Sequence, residues 1–276
     1  MVPANVHRKP LNIAHRGARS LAPENTLAAA AKALEVGADM WELDVAMTAD
    51  GELVVIHDAT LERTSNATNV YPDRKPWRVS DFLLKELEPL DFGSWFVRQD
   101  PFGQIAAGSV AESECARYAG EPMLTLAKAL EFSLEHRLPI NVEIKDLAGT
   151  AGDAVVVERA VGLIEDLGAE DYVILSSFSP SYLRRAREAN AGLTTALLSD
   201  SYRENLMALL GELKTQGFHP RIEEVPRVNV AALQQCGYAV RVWVANDEAA
   251  MRAMMQTGVD AVFTDFPQLL KKILTC

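Results

Sequence analysis

The sequence predicts one eight-stranded β/α barrel, and three observations indicate this fold. Short apolar runs rich in β-branched residues alternate with longer helical stretches, which is typical of βαβ units and a parallel sheet. Eight such runs occur, each followed by a helical stretch, whereas a doubly wound open sheet usually has fewer strands. The chain has 276 residues, and barrels of roughly 250 residues commonly form one domain. We therefore expect a single α/β domain over residues 1–276.

The predicted elements alternate along the whole chain. The barrel strands are expected at 11–15, 39–45, 140–145, 172–176, 194–198, 218–222, 240–244 and 261–264, of which the sixth carries the weakest signal. The helices are expected at 26–36, 124–136, 154–167, 180–189, 204–216, 230–235, 248–256 and 267–274. Each helix follows one strand, as a β/α barrel requires.

Two features interrupt this alternation after the second strand. Asp50-Gly51 stands between two apolar runs, which is a strong hairpin signal, and predicts a β-hairpin extension on the top face of the barrel. Residues 59–121 contain Asn66, Asn69, Pro72, Pro76, Pro89, Pro101 and several glycines, and this stretch is too long for a plain connection. A segment of this kind is usually a functional insertion, and we expect it over the active-site face.

The charge and hydropathy of the chain exclude several classes of partner. The formal net charge is −11, from 38 acidic and 27 basic residues. Nucleic-acid-binding proteins usually carry a basic face, and anionic lipid attracts basic segments, so we expect neither partner. No run of about 18 apolar residues is present, so we expect no membrane insertion. A small anionic substrate remains compatible if positive charge is concentrated locally.

The cysteines and the N-terminus indicate a cellular location. Cys115, Cys236 and Cys276 are widely spaced and form no CxxC motif, which favours a reducing compartment. Residues 1–10 contain basic residues but no apolar stretch, unlike a signal peptide. We therefore expect a cytoplasmic protein, and the sequence makes no prediction about its oligomeric state.

An acidic cluster is predicted at the carboxyl ends of two strands. Glu42 and Asp44 are two residues apart, so they share one face of a strand, and Glu143 and Lys145 obey the same rule. Carboxylates that face the interior of a barrel are costly unless they are paired or bind a metal. An all-oxygen set suits one divalent cation, Mg²⁺ or Ca²⁺ with Mn²⁺ as a further option. The alternative is a buried ion pair of Glu42 with Lys145 or Arg16.

Two histidines stand beside the predicted cluster. His15 and His57 fall at strand ends, and an imidazole titrates near neutrality, which suits proton transfer to and from oxygen. We predict that one deprotonates a nucleophile and the other protonates a leaving alkoxide. The alternative is a hydrogen-bonded structural role for each. His136 and His219 lack acidic neighbours in the pattern, and we interpret them as structural.

Two cationic side chains near the cluster are candidate phosphate ligands. Arg16 offers a planar fork for phosphate oxygens and Lys145 a compact charge, with structural salt bridges as the alternative for both. Gly17 is expected to let the backbone approach a ligand closely. Trp243 and Phe178 follow strands and are equally compatible with a pocket wall or with the barrel core.

Two further acids have mainly structural interpretations. Pro23-Glu24-Asn25-Thr26 has the residue types of a helix start, although Glu24 could also brace the site. Asp265, followed by Phe266-Pro267, is interpreted as a helix cap with proline just inside the helix.

Several short motifs occur in a characteristic order along nearly the whole chain. In the N-terminal half they are His15-Arg16-Gly17, Pro23-Glu24-Asn25-Thr26, Glu42-Leu43-Asp44, Thr48 with Asp50-Gly51, and His57-Asp58 with Leu61, Arg63 and Thr64. In the C-terminal half they are Glu143-Ile144-Lys145, Ser177-Phe178, Val242-Trp243 with Asn246, Gly258-Val259-Asp260, and Thr264-Asp265-Phe266-Pro267. These motifs resemble those of the glycerophosphodiester phosphodiesterase family. One departure is Val244-Ala245, where that family often has Thr-Val, so the pocket wall near Trp243 is left open.

The resemblance implies a fold, a reaction and a set of site residues. It implies a distorted β/α barrel with a segment inserted after the second strand. It also implies cation-dependent hydrolysis of a small-molecule glycerophosphodiester to sn-glycerol 3-phosphate and an alcohol. The implied catalytic pair is His15 and His57, the implied metal ligands are Glu42, Asp44 and Glu143, and the implied phosphate contacts are Arg16 and Lys145.

Other functions remain compatible with the same residues. A lysophospholipase D would need an apolar groove, which 59–121 would supply for a single-chain lipid. A catalytically silent binding protein would have no need of two proton carriers, and a metal-dependent lyase or isomerase would need less phosphate-binding charge. The sequence also leaves open which histidine is the acid, and whether hydrolysis is direct or passes through a cyclic phosphate.

Overall fold

The computed structural model describes residues 9–201 and 203–275, and its parallel strands close into a barrel. The strands are β1 Leu11–Ala14, β2 Met40–Met47, β3 Leu53–Val55, β4 Ile140–Ile144, β5 Val173–Ser177, β6 Thr194–Ser199, β7 Gly217–Pro220, β8 Ala239–Val242 and β9 Ala261–Thr264. The order is β1-β9-β8-β7-β6-β5-β4-β2-β3, and β1 also pairs with β2. Ile13 opposite Met40 closes the ring, and β3 lies outside it, antiparallel to β2. The predicted eight-stranded barrel is confirmed.

Helices cover the outside of the barrel and build the insertion. They are α1 Leu27–Glu35, α2 Ala67–Val70, α3 Leu84–Leu87, α4 Ser94–Gln99, α5 Glu112–Tyr118, α6 Leu126–His136, α7 Val156–Asp166, α8 Pro180–Ala189, α9 Leu206–Leu213, α10 Val230–Gln235, α11 Glu248–Thr257 and α12 Pro267–Thr275. Short 3₁₀ helices occur at Val79–Asp81, Ala151–Ala154, Glu170–Tyr172 and Ile222–Arg227. No helix in the described part of the chain is both long enough and apolar enough to cross a bilayer.

Some predicted boundaries differ from the observed ones for local reasons. The helix expected at 204–216 ends at Leu213, because Lys214 adopts a left-handed φ of 50°. The strand expected at 218–222 ends at Pro220, because Ile222 begins a 3₁₀ helix. Thr26 caps α1 by accepting a hydrogen bond from the backbone N–H of Ala29, as its residue type predicts.

Strand alternation separates two layers of the core. Trp41, Leu43 and Val45 of β2 belong to the large cluster between the barrel and the surrounding helices. Met40 instead belongs to the cluster inside the barrel, with Phe263 of β9. Because residues two apart share a face, Glu42 and Asp44 point the same way as Met40, into the barrel. The alternation of β2 therefore places the predicted acidic residues in the interior.

The hairpin and the insertion follow β2. Val45 pairs with Val55, and Gly51 in the turn has a φ of 84°, so the predicted hairpin is confirmed. Its second strand ends at Val55, so His57 lies in the loop that follows and not at the strand end where it is expected. Most of the insertion's buried apolar residues form one cluster with the hairpin, around Phe82. Another group, around Trp95, packs against the loop after β1 and the start of α1. The single-domain organisation over 1–276 stays a prediction.

Candidate active site

The carboxyl ends of the barrel strands surround a cavity of about 440 Å³. All eight residues predicted for the site lie in it or beside it. The described lining comprises His15, Arg16, Arg19, Glu42, His57, Asn141, Glu143, Lys145, Phe178, Leu198, Trp243, Val244, Phe263 and Asp265. Asp44 completes the predicted set next to Glu42. Charged residues therefore line the side formed by β1, β2 and β4, and apolar residues line much of the opposite side.

Three carboxylates meet where β2 lies beside β4. Asp44 is the direct strand partner of Glu143, and Glu42 lies one pleat below on the same face. One oxygen from each of the three carboxylates lies within 4.8 Å of the others. The backbone N–H of Arg16 donates to Glu42 Oε2 at 2.7 Å, while Glu42 Oε1 is buried without a hydrogen-bond partner. The three acids predicted from strands about 100 residues apart thus share one point in space.

The negative charges of this cluster shift the pKa values of its carboxyl groups. Burial raises the pKa of Glu42 well above its ordinary value, and the neighbouring charges of Asp44 and Glu143 raise it further. Burial and the charge of Asp44 likewise raise the pKa of Glu143. Burial alone would also raise the pKa of Asp44, but the positive charges of Arg16 and Lys145 hold it well below its usual range. The cluster therefore carries more carboxylate than its own cations stabilise.

The donors present fit a hard divalent cation. The orphaned Oε1 of Glu42 is a buried oxygen in need of a positive partner, and so is Oδ1 of Asn141, the strand partner of Glu42. All of these donors are oxygens, which Mg²⁺, Ca²⁺ and Mn²⁺ prefer. The alternative of a buried ion pair for Glu42 is wrong, because the side chains of Arg16 and Lys145 bind other carboxylates.

Arg16 and Lys145 bring positive charge to the two edges of the cluster. Arg16 Nε lies 3.3 Å from Asp44 Oδ2, and Lys145 Nζ lies 2.7 Å from Glu143 Oε1 and 3.6 Å from Asp44 Oδ1. The loop that carries Arg16 turns sharply, with left-handed φ values of 57° at Arg16 and 78° at Gly17. A side chain at Gly17 would place its Cβ 2.6 Å from Ala29, so this glycine is required by packing against α1.

Each predicted histidine is hydrogen-bonded to a carboxylate. His15 Nδ1 lies 2.6 Å from Asp265 Oδ1, and His57 Nδ1 lies 2.7 Å from Asp58 Oδ1. An engaged Nδ1 leaves Nε2 as the ring nitrogen for chemistry, since the partner of one nitrogen sets the role of the other. Burial, followed by the charge of Arg16, lowers the pKa of His15, which favours its neutral form. Both imidazoles are therefore held at Nδ1 by a carboxylate.

Asp265 corrects a sequence interpretation. Its side chain does not cap α12; it binds His15 and accepts a hydrogen bond from Asn246 Nδ2 at 2.7 Å. The start of α12 has a proline at its first position, as predicted. Asp265 follows β9, and β9 is the neighbour of β1 in the closed ring. In a closed barrel the first and last strands are neighbours, and this topology is the signal from which the contact between Asp265 and His15 could be predicted.

Glu24, the other acid interpreted as part of a helix start, is bound by basic side chains. Glu24 accepts hydrogen bonds from Arg16, Arg19 and Arg63, so the bracing interpretation is the one that the contacts support. Its neighbour Asn25 donates to Asp44 Oδ2 at 2.9 Å. Sequence reasoning assigned no site role to Arg19, and noted Arg63 only as part of a motif.

The apolar side of the cavity is built around two aromatic rings. Trp243 and Phe178 pack edge to face with centroids 5.6 Å apart, and both line the cavity. Trp243 Nε1 donates to the carbonyl of His219 at 2.8 Å, which fixes the indole. Val244 contributes to the same wall at the position where the motif departs from the family pattern. His219 itself is fully buried against Phe263, consistent with a structural role.

Comparisons with known proteins point to one family. The model of the glycerophosphoryl diester phosphodiesterase family matches residues 15–269. A glycerophosphodiester phosphodiesterase of Caldanaerobacter subterraneus subsp. tengcongensis is 32% identical over 262 residues, covering 95% of this chain and 96% of that protein. One from Bacillus subtilis is 30% identical over 269 residues, covering 95% of this chain and 86% of that protein.

A solved structure shows a similar fold. It is an Oleispira antarctica phosphodiesterase in complex with the product sn-glycerol-3-phosphate. The TM-score is 0.78 at 25% identity, and the match covers 97% of this chain and 98% of that chain.

Proposed function

Because the chain belongs to the glycerophosphoryl diester phosphodiesterase family, we propose that it hydrolyses glycerophosphodiesters with a divalent cation and two histidines. The products are sn-glycerol 3-phosphate and an alcohol. The observation that carries this proposal is the meeting of three carboxylates and two carboxylate-bound imidazoles at one cavity. A phosphodiester needs such a set, since it must be bound as an anion and cleaved with two proton transfers.

Glu42, Asp44 and Glu143 would hold the cation, with Mg²⁺ and Ca²⁺ as the first choices and Mn²⁺ as a third. When bound, a cation of this kind polarises the phosphoryl group and offsets the charge that develops on it. Asn25 and the backbone N–H of Arg16 orient two of these carboxylates. Loss of a hydrogen bond to a metal-binding side chain commonly lowers the metal affinity tenfold or more.

Arg16 and Lys145 bind the phosphate oxygens in this proposal. Lys145 Nζ donates one hydrogen bond to Glu143 and lies 3.6 Å from Asp44 on the cavity wall, so it has protons left for a phosphate oxygen. Burial alone would lower the pKa of Lys145, but Asp44 and Glu143 raise it, so the ammonium stays charged. Trp243 contacts the glycerol portion through the apolar side of the cavity.

His15 and His57 move the protons. One imidazole accepts a proton at Nε2 from the nucleophile, which is water or the neighbouring glycerol hydroxyl. The other donates its Nε2 proton to the oxygen of the leaving alcohol. Where the glycerol hydroxyl is the nucleophile, a cyclic phosphate forms, and water then opens it with the two proton transfers reversed to give glycerol 3-phosphate. Asp265 and Asp58 hold the respective Nδ1 atoms, so both rings keep one tautomer or stabilise the protonated form.

The cavity favours a small, water-soluble diester. Its 440 Å³ suit a ligand of about the size of a metabolite, and no insertion residue is among its described lining. Most buried apolar side chains of the insertion lie in clusters around Phe82 and Trp95 and not in this lining, which supports a small diester over a single-chain lipid. A cytoplasmic location belongs to the same proposal, and the unpaired Cys115 and Cys236 support it.

A headgroup and metal panel tests the proposal. Release of glycerol 3-phosphate from glycerophosphocholine is expected with Mg²⁺ or Ca²⁺, and chelation is expected to abolish it. The same assay on lysophosphatidylcholine should give little product; the reverse preference would favour a lysophospholipase D. Absence of turnover with every diester and every cation would overturn the proposal and leave a binding protein.

A further inference from the structure

Glu24 lies in the loop between β1 and α1, and its carboxylate is bound by three arginines. Its side chain is only 2% exposed, and it accepts from Arg16 Nη1 at 2.9 Å, from Arg19 Nη2 at 2.6 Å and from Arg63 Nη2 at 2.8 Å. We call these four residues the Glu24 network. Thr26 already caps α1, so helix capping does not explain the glutamate. Glu24 is also absent from the described lining of the active-site cavity.

One arm of the Glu24 network reaches His57. Arg63 places Nη1 and Nη2 on Glu24 at 3.0 and 2.8 Å, and places Nε and Nη2 on Asp58 at 2.6 and 3.1 Å. The guanidinium is therefore held in two-pronged contacts between two carboxylates, which is a geometrically specific arrangement. Asp58 in turn holds His57 Nδ1. Three successive contacts, through Arg63 and Asp58, therefore connect Glu24 to the imidazole Nδ1 of His57.

The other arm reaches His15. Arg19 Nη1 lies 3.5 Å from Asp265 Oδ1, the oxygen that binds His15 Nδ1. Asp265 has a second anchor in Asn246, which donates to its other oxygen. The contact of Arg19 with Asp265 is therefore longer than that of Arg63 with Asp58, and the position of His15 depends less on Glu24.

We propose that Glu24 is a positioning residue that orients both imidazoles, chiefly His57, through Arg63 and Arg19. The inference rests on the proposed function, in which these imidazoles transfer protons. Removing the Glu24 charge would leave three guanidinium groups around one neutral side chain, and their repulsion would move them apart. The burial of Glu24 strengthens this effect, because charges interact more strongly where water is excluded. The three arginines also hold the pKa of Glu24 well below its usual range, against the effect of burial.

The central variant is Glu24→Gln, which keeps the shape of the side chain and removes its charge. We expect kcat on glycerophosphocholine to fall about tenfold, the scale seen when a second contact to a site residue is lost. Glu114→Gln is the matched control. Glu114 forms an ion pair with Lys32 that joins the insertion to α1, away from the cavity, and its loss should leave kcat unchanged.

A second substrate separates positioning from general loosening of the fold. The 4-nitrophenyl ester of glycerol 3-phosphate has a leaving group that departs without a proton. Only one imidazole protonates the leaving alcohol, so Arg63→Gln and Arg19→Gln should differ in how much activity they regain on this ester. Glu24→Gln combined with Arg63→Gln should lose little more than Glu24→Gln alone, because both break the same arm.

Two results would overturn the inference. One is wild-type kcat in Glu24→Gln. The other is an equal loss on both substrates in all three single variants, accompanied by a lowered Tm, which indicates a structural role only. If the wild-type protein itself releases no glycerol 3-phosphate, it is the proposed function that fails. Arg63→Gln keeps the test usable where Glu24→Gln does not fold, since Arg63 is the more exposed member of the pair.

Discussion

The two histidine–carboxylate pairs at the barrel mouth are held in different ways. In the His15–Asp265 pair the side chains are 15% and 8% exposed, and each residue directly follows a barrel strand. In the His57–Asp58 pair they are 34% and 29% exposed, and the two residues are neighbours in a loop after β3. The first pair is placed by hydrogen-bonded strands, and the second depends on a side-chain clamp from Arg63.

The two pairs are made rigid by different parts of the structure. Backbone pairing between β1 and β9 fixes both partners of the first pair at once. The pairing of β3 with β2 ends at Val55, and one further backbone hydrogen bond joins the N–H of Ile56 to the carbonyl of Asp44. Beyond it, charged side chains hold His57 and Asp58. Parts of a site that lie on loops are less precisely positioned than parts on strands unless further contacts support them.

The largest loss of activity is expected when each imidazole is removed in turn. His15→Ala and His57→Ala should each lower kcat for glycerol 3-phosphate release by about 100-fold or more, because each proton transfer contributes at least that factor. Steady-state kinetics with saturating cation measures the loss, and circular dichroism confirms folding. A variant that kept full activity would show that only one pair takes part in the reaction.

The next effect distinguishes the two carboxylates. Asp265→Asn should lower kcat about 100-fold, because the amide can hold the imidazole of His15 in the wrong tautomer. Water cannot take the place of the lost carboxylate in this buried pair. Asp58→Asn should cost about tenfold, because its pair is more open to water. The pH profile of kcat for both variants measures the contrast. Equal losses would mean that burial of the first pair has no catalytic consequence.

The pH dependence of the free energy of unfolding gives a further test of the difference between the two histidine pairs. Burial lowers the pKa of His15 below 6.5 in the folded protein, so the unfolded chain binds more protons below that pH. The contribution to stability is complete above pH 6.5 and is lost as the pH falls toward the lowered pKa, at up to about 1.4 kcal/mol per pH unit. His219, whose pKa burial lowers well below 6.5, acts in the same direction.

Denaturant unfolding between pH 7 and 5 measures this slope. His15→Gln and His219→Gln should each flatten it, whereas His136→Gln, on the exposed face of α6, serves as the control. An unchanged slope in both buried-site variants would contradict the assignment of neutral imidazoles to these positions.

The smallest expected effect concerns the second anchor of Asp265. Asn246→Ala removes the hydrogen bond that Nδ2 donates to that carboxylate and the one that Oδ1 accepts from the backbone N–H of Asp265. The bond to the carboxylate is worth about 1 kcal/mol, and its loss should lower kcat about fivefold. The same steady-state assay detects the change. A loss as large as that of Asp265→Asn would show that Asn246, and not strand pairing, positions the first pair.

Much of the fold and part of the site could be predicted from local patterns. The alternation of β2 predicted that Glu42 and Asp44 share a face, and Asp50-Gly51 predicted the hairpin. Both follow from chain geometry over a few residues. Glu143 was predicted to join them because the carboxyl ends of parallel strands meet at one end of a barrel.

Local patterns in the sequence therefore predict the barrel, the hairpin and the set of polar residues at the barrel mouth. The contacts between distant residues are visible only in the folded chain: Asp265 with His15 across 250 residues, and Arg63 with Glu24 across 39. The physical reason is range. Backbone periodicity acts over a few residues, whereas a salt bridge depends on where a closed ring and an inserted segment bring side chains that the chain itself keeps far apart.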